Sequence, residues 1–340
     1  MMMDKGKETQ LWAAMAKLTR IDNERELFEE LKISLGVIYN NLDLVFFKIH
    51  FKRNDNLAAE NFSRDKTNII LVSDYFDPSM QARLLSEDSC LSSCYSQKKT
   101  VKCTAKDSNH LVYVFPLCYE KEVLFLLSVA LSDKEAEYSS SLFNFFKIFM
   151  NYFKVICSNE RDFLTGMYNR RAFNRVINNL EIHPEKTNSE KTDYLLIIDI
   201  DFFKSINDNY GHMIGDEVLI LFSRILRENI RTTDVAFRTG GEEFIIITSE
   251  LSAEGMERKC ERLRKIIEQT KFPQVHTLTI SGGFSRLEYP LDTFHVLKKA
   301  DAALYYAKDH GRNQIFSYES LVENKMILPV TQLAEIIDVW

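Results

Sequence analysis

Carboxylates set beside bare backbone are where this sequence offers chemistry. Arg238-Thr239-Gly240-Gly241-Glu242-Glu243-Phe244 lies between two strand-like runs, Val235 to Phe237 and Phe244 to Thr248. The two glycines permit a tight turn and close approach of a ligand. The two acids that follow put carboxylate at the tip of a hairpin. Such a tip suits a divalent ion carrying a polyphosphate, because Mg²⁺ prefers hard oxygen ligands and shares itself with phosphates. Taken alone, the motif reads equally well as a Gly-Gly turn with a solvated acidic end.

Upstream, Tyr194-Leu195-Leu196-Ile197-Ile198-Asp199-Ile200-Asp201-Phe202-Phe203-Lys204 holds an aliphatic run bounded by polar residues. It reads as a strand buried on both faces. Asp199 falls at its C-terminal end, where open α/β sheets place their ligand sites. Asp201 shares a side with Asp199 in an alternating strand. Two ligands, or one ligand and one cap of the following helix, both fit. Asn207-Asp208, Gly211-His212 and Gly215-Asp216 then form a polar, glycine-punctuated stretch before the helical run Glu217 to Arg227. Residues of this kind make turns; next to a phosphate site they can also read the edge of a base.

Together these blocks resemble the GGDEF family, the diguanylate cyclases, with Gly240-Gly241-Glu242-Glu243-Phe244 as the GGEEF form of its signature. Asp162-Phe163-Leu164-Thr165-Gly166 with Asn169-Arg170-Arg171 match the start of that domain. Ala300-Asp301, Tyr305, Ala307-Lys308 and Gly311-Arg312-Asn313 match its end. Several separated blocks in the right order are strong where one would be weak. The resemblance covers roughly residues 161 to 319.

It implies condensation of two GTP molecules into cyclic di-GMP with release of two pyrophosphates. Each 3′-hydroxyl attacks the other nucleotide's α-phosphate, so two catalytic domains must meet. By the match, Asp199, Glu243 and the main-chain carbonyl of Ile200 hold two Mg²⁺ (or Mn²⁺) ions per half-site. Glu242 is either a further metal ligand or the base near the attacking hydroxyl. Phe202, Phe203, Lys204, Gly240 and Gly241 line the substrate, and Lys204, Lys308 and Arg312 meet the β- and γ-phosphates. Asn207 and Asp216 read guanine, and aspartate at 216 favours GTP over ATP. Arg231 and Asp234, with Arg262, coincide with the family's inhibitory product site, where the arginine forks onto guanine or phosphate and the aspartate accepts from guanine. Thr239 and Gly282 depart from the usual pattern without touching a catalytic role. Loss of catalysis with retained cyclic di-GMP or GTP binding, a mixed-dinucleotide cyclase, and a sensor-adaptor are the rival readings; the intact acids and Asp216 oppose the first two.

The elements that must position these residues fill a chain of 340 residues, 45% hydrophobic and 27% charged, which suits about two domains. A net charge of −6 supplies no global field for nucleic acid. No secretory signal or membrane span is visible, so a cytoplasmic protein is expected. Six cysteines without a Cys-x-x-Cys pair point to reduced, mostly buried thiols.

Residues 8 to 40 show helical spacing, and Leu44 to Phe51 and Asn68 to Asp74 read as strands. Pro78 to Ser86 and Leu91 to Gln97 read as helices, and His110 to Cys118 with Val123 to Leu131 as a hairpin. This layout is similar to a GAF sensor domain over 1–132, with a PAS-like fold as rival, and a small molecule or a protein is expected to supply its signal.

Over 133–160 Leu142, Phe149 and Ile156 recur every seven residues. This suits a parallel coiled coil that brings two copies together, or a helix buried in the sensor domain. Asn169 to Leu180 and Leu291 to Lys308 read as helices, and Thr277 to Ser281 as a strand with Gly282-Gly283 beyond it. The expected class is α/β: a nucleotidyl-cyclase-like domain with a mostly antiparallel central sheet over 161–319, preceded by a GAF-like α/β domain and a signalling helix. A tail, 320–340, carries Ile327, Leu328, Leu333, Ile336, Ile337 and Trp340 at amphipathic spacing.

Overall fold

The computed structural model describes residues 5–39, 42–53, 68–76, 83–104, 111–119, 122–131, 139–180, 191–231, 233–275, 277–288 and 290–330. The chain divides into two units, Met1–Glu160 and Arg161–Trp340. Among the described residues no helix is long and apolar enough to cross a membrane.

The first unit runs α1 (Lys5–Leu18), α2 (Glu24–Ile38), β1 (Asp43–Arg53), β2 (Asn68–Asp74), β3 (Arg83–Leu84), a 3₁₀ turn (Leu85–Glu87), α3 (Ser89–Gln97), β4 (Val101–Thr104), β5 (Leu111–Tyr119), β6 (Glu122–Leu131) and α4 (Ser139–Glu160). Its strands form one sheet in the order β3-β2-β1-β6-β5-β4, every neighbouring pair antiparallel. One face buries Phe46, Phe115 and Phe125 beneath α1, α2 and α4; the other packs Ile49, Val114 and Leu126 against Leu91 and Cys94 of α3.

The helix expected over Pro78 to Ser86 is a short strand and a 3₁₀ turn where residues are described, from Arg83 on. Strand β4 was not foreseen. Lys98, left-handed at φ 52°, ends α3 and turns the chain into it. That turn brings Cys90 and Cys103 together with Cα atoms 6.4 Å apart, and they form a disulfide. The expectation of six reduced thiols therefore fails for Cys90 and Cys103; Cys94, Cys118 and Cys260 are free, and Cys157 is buried in the core.

The apolar seam of α4 is spent inside its own unit. Leu142, Phe146, Phe149, Phe153 and Ile156 are each at most 2% exposed and belong to the aromatic core around Phe28. Glu160 at the helix end accepts from the Glu24 amide at 3.1 Å, and the Tyr152 hydroxyl donates to the carbonyls of Thr19 and Ile21. A heptad recurrence has the same period whether the partner is another helix or the chain's own sheet. The coiled-coil seam on Leu142, Phe149 and Ile156 is thus corrected to a core face. Ile148 and Val155 are the exposed large apolar residues of this helix.

The second unit runs β7 (Tyr168–Asn169), α5 (Arg170–Asn178), β8 (Thr192–Ile200), α6 (Phe203–Tyr210), α7 (His212–Asn229), β9 (Val235–Arg238), β10 (Glu243–Leu251), α8 (Ala253–Gln269), β11 (Ile280–Arg286), α9 (Thr293–Asp309), β12 (Ile315–Ser317) and α10 (Tyr318–Glu323). The sheet order is β12-β11-β8-β10-β9-β7, antiparallel at its centre and parallel at both edge pairs.

Alternation sorts the central strands. Leu196, Ile198, Phe244 and Ile246 face α6, α7 and α8, while Leu195, Ile197, Ile245 and Ile247 face α5 and α9. Gly282 and Gly283 lie within β11, not beyond the strand as expected. A side chain at Gly283 would meet the Ala300 carbonyl at 2.2 Å and the Leu304 amide at 2.3 Å. Glycine there lets the α9 backbone lie directly on the sheet. Of the tail, Val330 packs with Ala303, Tyr318 and Leu321; Leu333 to Trp340 fall outside the described residues.

Candidate active site

Strand register builds the acidic end of the site. β8 and β10 run antiparallel with Glu243 directly opposite Asp199. Both residues continue the odd-numbered series that faces α9, so their side chains emerge on the same side of the sheet. Lys308, in the last turn of α9, reaches down to Asp199 Oδ2 at 3.0 Å. Because α9 lies so close on Gly283, the helix carrying this lysine is fixed in height above the strand carrying the aspartate.

The carboxylates crowd one another. Burial pushes the Asp199 carboxyl up; Lys308 opposes this, and Asp201 and Glu243 reinforce it. Glu242 is pushed up by burial and then by Asp199. Asp301, on α9, is likewise raised by burial and by the charge of Glu243. Such a group of half-buried acids is relieved by added positive charge.

Among the described residues, though, no three metal-binding side chains converge on one point. Asp199 is turned to Lys308, and Glu243 Oε1 accepts from the Thr239 hydroxyl at 2.7 Å. The donors Asp199, Glu242, Glu243 and the main chain of Ile200 are hard oxygens of the kind Mg²⁺ takes, with phosphate and water completing the shell. They fit the ion as partial ligands.

The hairpin tip is held from behind. Arg238 donates through Nε and Nη2 to the Gly241 carbonyl at 3.2 and 2.8 Å, and through Nη1 to Asp162 at 2.8 Å. Burial would raise the Asp162 carboxyl, but bonds from Thr165 and Arg238 outweigh it and hold it low. Neither Gly240 nor Gly241 has a left-handed φ. Around Gly241 a side chain would touch nothing within 4 Å. What glycine supplies here is room beside the chain.

Other expected residues divide. Asn207 lies on α6 against Gly215, where a β-carbon would sit 2.0 Å from Asn207 Oδ1, and Asp216 is exposed next door on α7. Lys204 is exposed on the first turn of α6. Phe202 is left-handed (φ 57°) and 65% exposed, and the Arg312 guanidinium lies 4.7 Å over its ring. Phe203 is corrected: its side chain is 5% exposed in the core with Ile206 and Phe222, anchoring α6.

Asp201 caps no helix. It accepts from the hydroxyls of Ser281 at 2.6 Å and Thr279 at 2.8 Å and from the Asn313 amide at 3.0 Å. It joins the end of β8 to β11 and to the turn bearing Arg312. Thr239, read from the sequence as a departure without consequence, orients Glu243.

Away from this end, Arg231 is exposed and Arg262 donates to the Asn229 carbonyl at 2.7 Å. Asp234, expected to accept from guanine, is instead buried: it takes the Arg231 amide at 2.6 Å and a short ion pair from Lys259. It anchors the turn that presents Arg231. Burial, outweighing that pair, lowers the Lys259 ammonium.

Residues 159–314 match the family described as "Diguanylate cyclase, GGDEF domain", and this part of the chain is a GGDEF domain. The probable diguanylate cyclase DgcC of Escherichia coli K12 is 40% identical over 157 residues, 45% of this chain and 42% of that protein. Diguanylate cyclase DosC of the same organism is 37% identical over 158 residues, 45% of this chain and 34% of that protein. The chain thus spans about a third to two fifths of the curated relatives it matches. The GGDEF domain of DgcB from Caulobacter crescentus, solved in complex with c-di-GMP, gives a TM-score of 0.41 at 29% identity, over 47% of this chain and 96% of that one.

Proposed function

We propose that this protein is a diguanylate cyclase, condensing two GTP into cyclic di-GMP and two pyrophosphates. The observation that carries the reading is the register pair Asp199–Glu243 beneath Lys308, within a GGDEF domain. Mg²⁺ (or Mn²⁺) held by Asp199, Glu243, the Ile200 carbonyl and Glu242 would lower the 3′-hydroxyl pKa and neutralise the α-phosphate. Lys308 would pass from Asp199 to the arriving phosphates, joined by Lys204 and Arg312. Asn207 and Asp216 would take guanine. Incubation with GTP and Mg²⁺ followed by mass analysis tests this: absence of cyclic di-GMP would overturn it. GTP as substrate also supports a cytoplasmic location.

Ring closure needs two GGDEF domains, so we read the active species as a homodimer. Activity per chain then rises with protein concentration; a concentration-independent value refutes this. The layout of the first unit, two sheet faces covered by helices, supports a GAF-like sensor whose signal sets the rate.

Three expected outcomes arise here. Mg²⁺ alone leaves the melting temperature unchanged, because its ligands are engaged with Lys308 and Thr239. Mg²⁺ with a non-condensable GTP analogue raises it by roughly 5 °C, and chelation cancels the rise. A shift with Mg²⁺ alone would mean the metal site is preformed.

Gly215→Ala pushes Asn207 out of place and should raise the KM for GTP about tenfold with little change in melting temperature. An unchanged KM removes Asn207 from the substrate site.

Arg231→Ala should give normal initial rates without the slowing that follows as product accumulates, since only arginine can fork onto a guanine edge. Identical slowing in mutant and wild type would leave Arg231 a surface residue.

A further inference from the structure

The turn that carries Arg312 is held in an unfavourable conformation. Gly311, Arg312 and Asn313 all have left-handed φ, at 107°, 61° and 49°. Glycine takes this freely and asparagine more readily than most residues, but arginine does so only when surrounding contacts hold it. The main chain supplies part of the hold: the Arg312 amide donates to the Ala307 carbonyl at 3.0 Å, and the Asn313 amide to Asp201 at 3.0 Å.

The rest comes from α8. Asn313 Oδ1 accepts from Arg264 Nη1 at 2.9 Å, and Asn313 Nδ2 donates to Glu268 at 2.7 Å. Arg264 is itself fixed. Its Nε and Nη2 fork onto Glu261, each at 2.8 Å, its Nη1 also reaches Glu268 at 3.0 Å, and its side chain is 14% exposed. The fork sets the plane of the guanidinium, and that plane sets where Nη1 points. This chain of bonds pulls the Glu261 carboxyl down to about 2.

We propose that Arg264 is a positioning residue for nucleotide binding: it clamps Asn313 so that Arg312 is presented to the phosphates. The inference rests on the cyclase reading above and adds a residue that touches no substrate. The plainer alternative is a surface network, since Glu261, Arg264 and Glu268 are spaced for ion pairing along one helix. A surface network would brace α8 and leave Arg312 indifferent. The bond across 49 residues to Asn313 argues for the clamp, as does the left-handed backbone it holds beside Arg312.

The test is a double-mutant cycle in the full chain. Calorimetry measures Mg²⁺ with a GTP analogue bearing a methylene bridge between the α and β phosphorus atoms. R264A and R312A are each expected to weaken binding about tenfold. The double variant should be no weaker than R312A within about twofold, because one acts through the other. R264K should not rescue, since an ammonium cannot hold the fork and reach Asn313 together. N313A, which leaves α8 intact, should match R264A, and it carries the test if R264A folds poorly.

Wild-type affinity in N313A, or a double variant weakened by the product of the single effects, overturns the inference while the cyclase reading stands. A wild-type chain that binds no analogue overturns both.

Discussion

A Glu243→Gln chain is expected to make cyclic di-GMP roughly a thousandfold more slowly than wild type while still folding and still binding GTP. Glutamine keeps the shape of the side chain and can still accept from Thr239, which bonds Glu243 Oε1 at 2.7 Å. It stays opposite Asp199 in the β8–β10 register, so the strands have no reason to shift. What is lost is one negative charge where the metal-bearing phosphates must sit. A metal ligand supplies several kcal/mol of transition-state stabilisation, and each 1.4 kcal/mol is about tenfold in rate. The check is product formation at saturating GTP, with melting temperature and GTP affinity measured on the same preparation. Turnover within about tenfold of wild type would remove Glu243 from the metal set.

The second large effect is on stability. Gly283→Ala should cost about 3 kcal/mol or more, lowering the melting temperature of the catalytic unit by roughly 6–12 °C. The new methyl would face backbone on three sides, at Ala300, Leu304 and Ala303, the nearest at 2.2 Å. Backbone in the middle of a helix cannot step aside as a side-chain end can, so α9 must lift. Lifting it draws Lys308 from Asp199, and activity should fall along with stability. A variant that melts like wild type would mean the helix accommodates the methyl by sliding.

How much of this was legible in the sequence depended on how local the cause was. The aliphatic run before Asp199 and the hairpin around Gly240-Gly241 announce themselves because burial on two faces and a tight turn leave marks within a few residues. Once those strands are paired, alternation alone brings Asp199 and Glu243 to one face. Asp201 was ambiguous because its partners lie 80 residues away at Ser281 and 112 away at Asn313. Gly282-Gly283 looked like a strand end because a glycine pair ordinarily punctuates. The approach of α9 that requires glycine is invisible until the helix is docked. The α4 seam misled for a related reason, since period seven records which residues are buried and not what buries them. Asp234 was misplaced because a short polar motif gives no sign of Lys259 waiting beneath it.

One consequence of the central register concerns how the site can yield. Asp199 and Glu243 stand on adjacent inner strands, covered on both faces and zipped along their length from Tyr194–Thr248 to Asp199–Glu243. Local opening draws on segments with few buried contacts, and these strands have many. Separating the two acids therefore means melting the domain. Amide exchange at Ile197 and Ile245 should proceed only by global unfolding, whereas the amides of Gly240, Gly241 and Asn313 exchange through smaller openings. Any signal that tunes this chain without unfolding it has the rim to work on: the hairpin tip and the turn at 311–313.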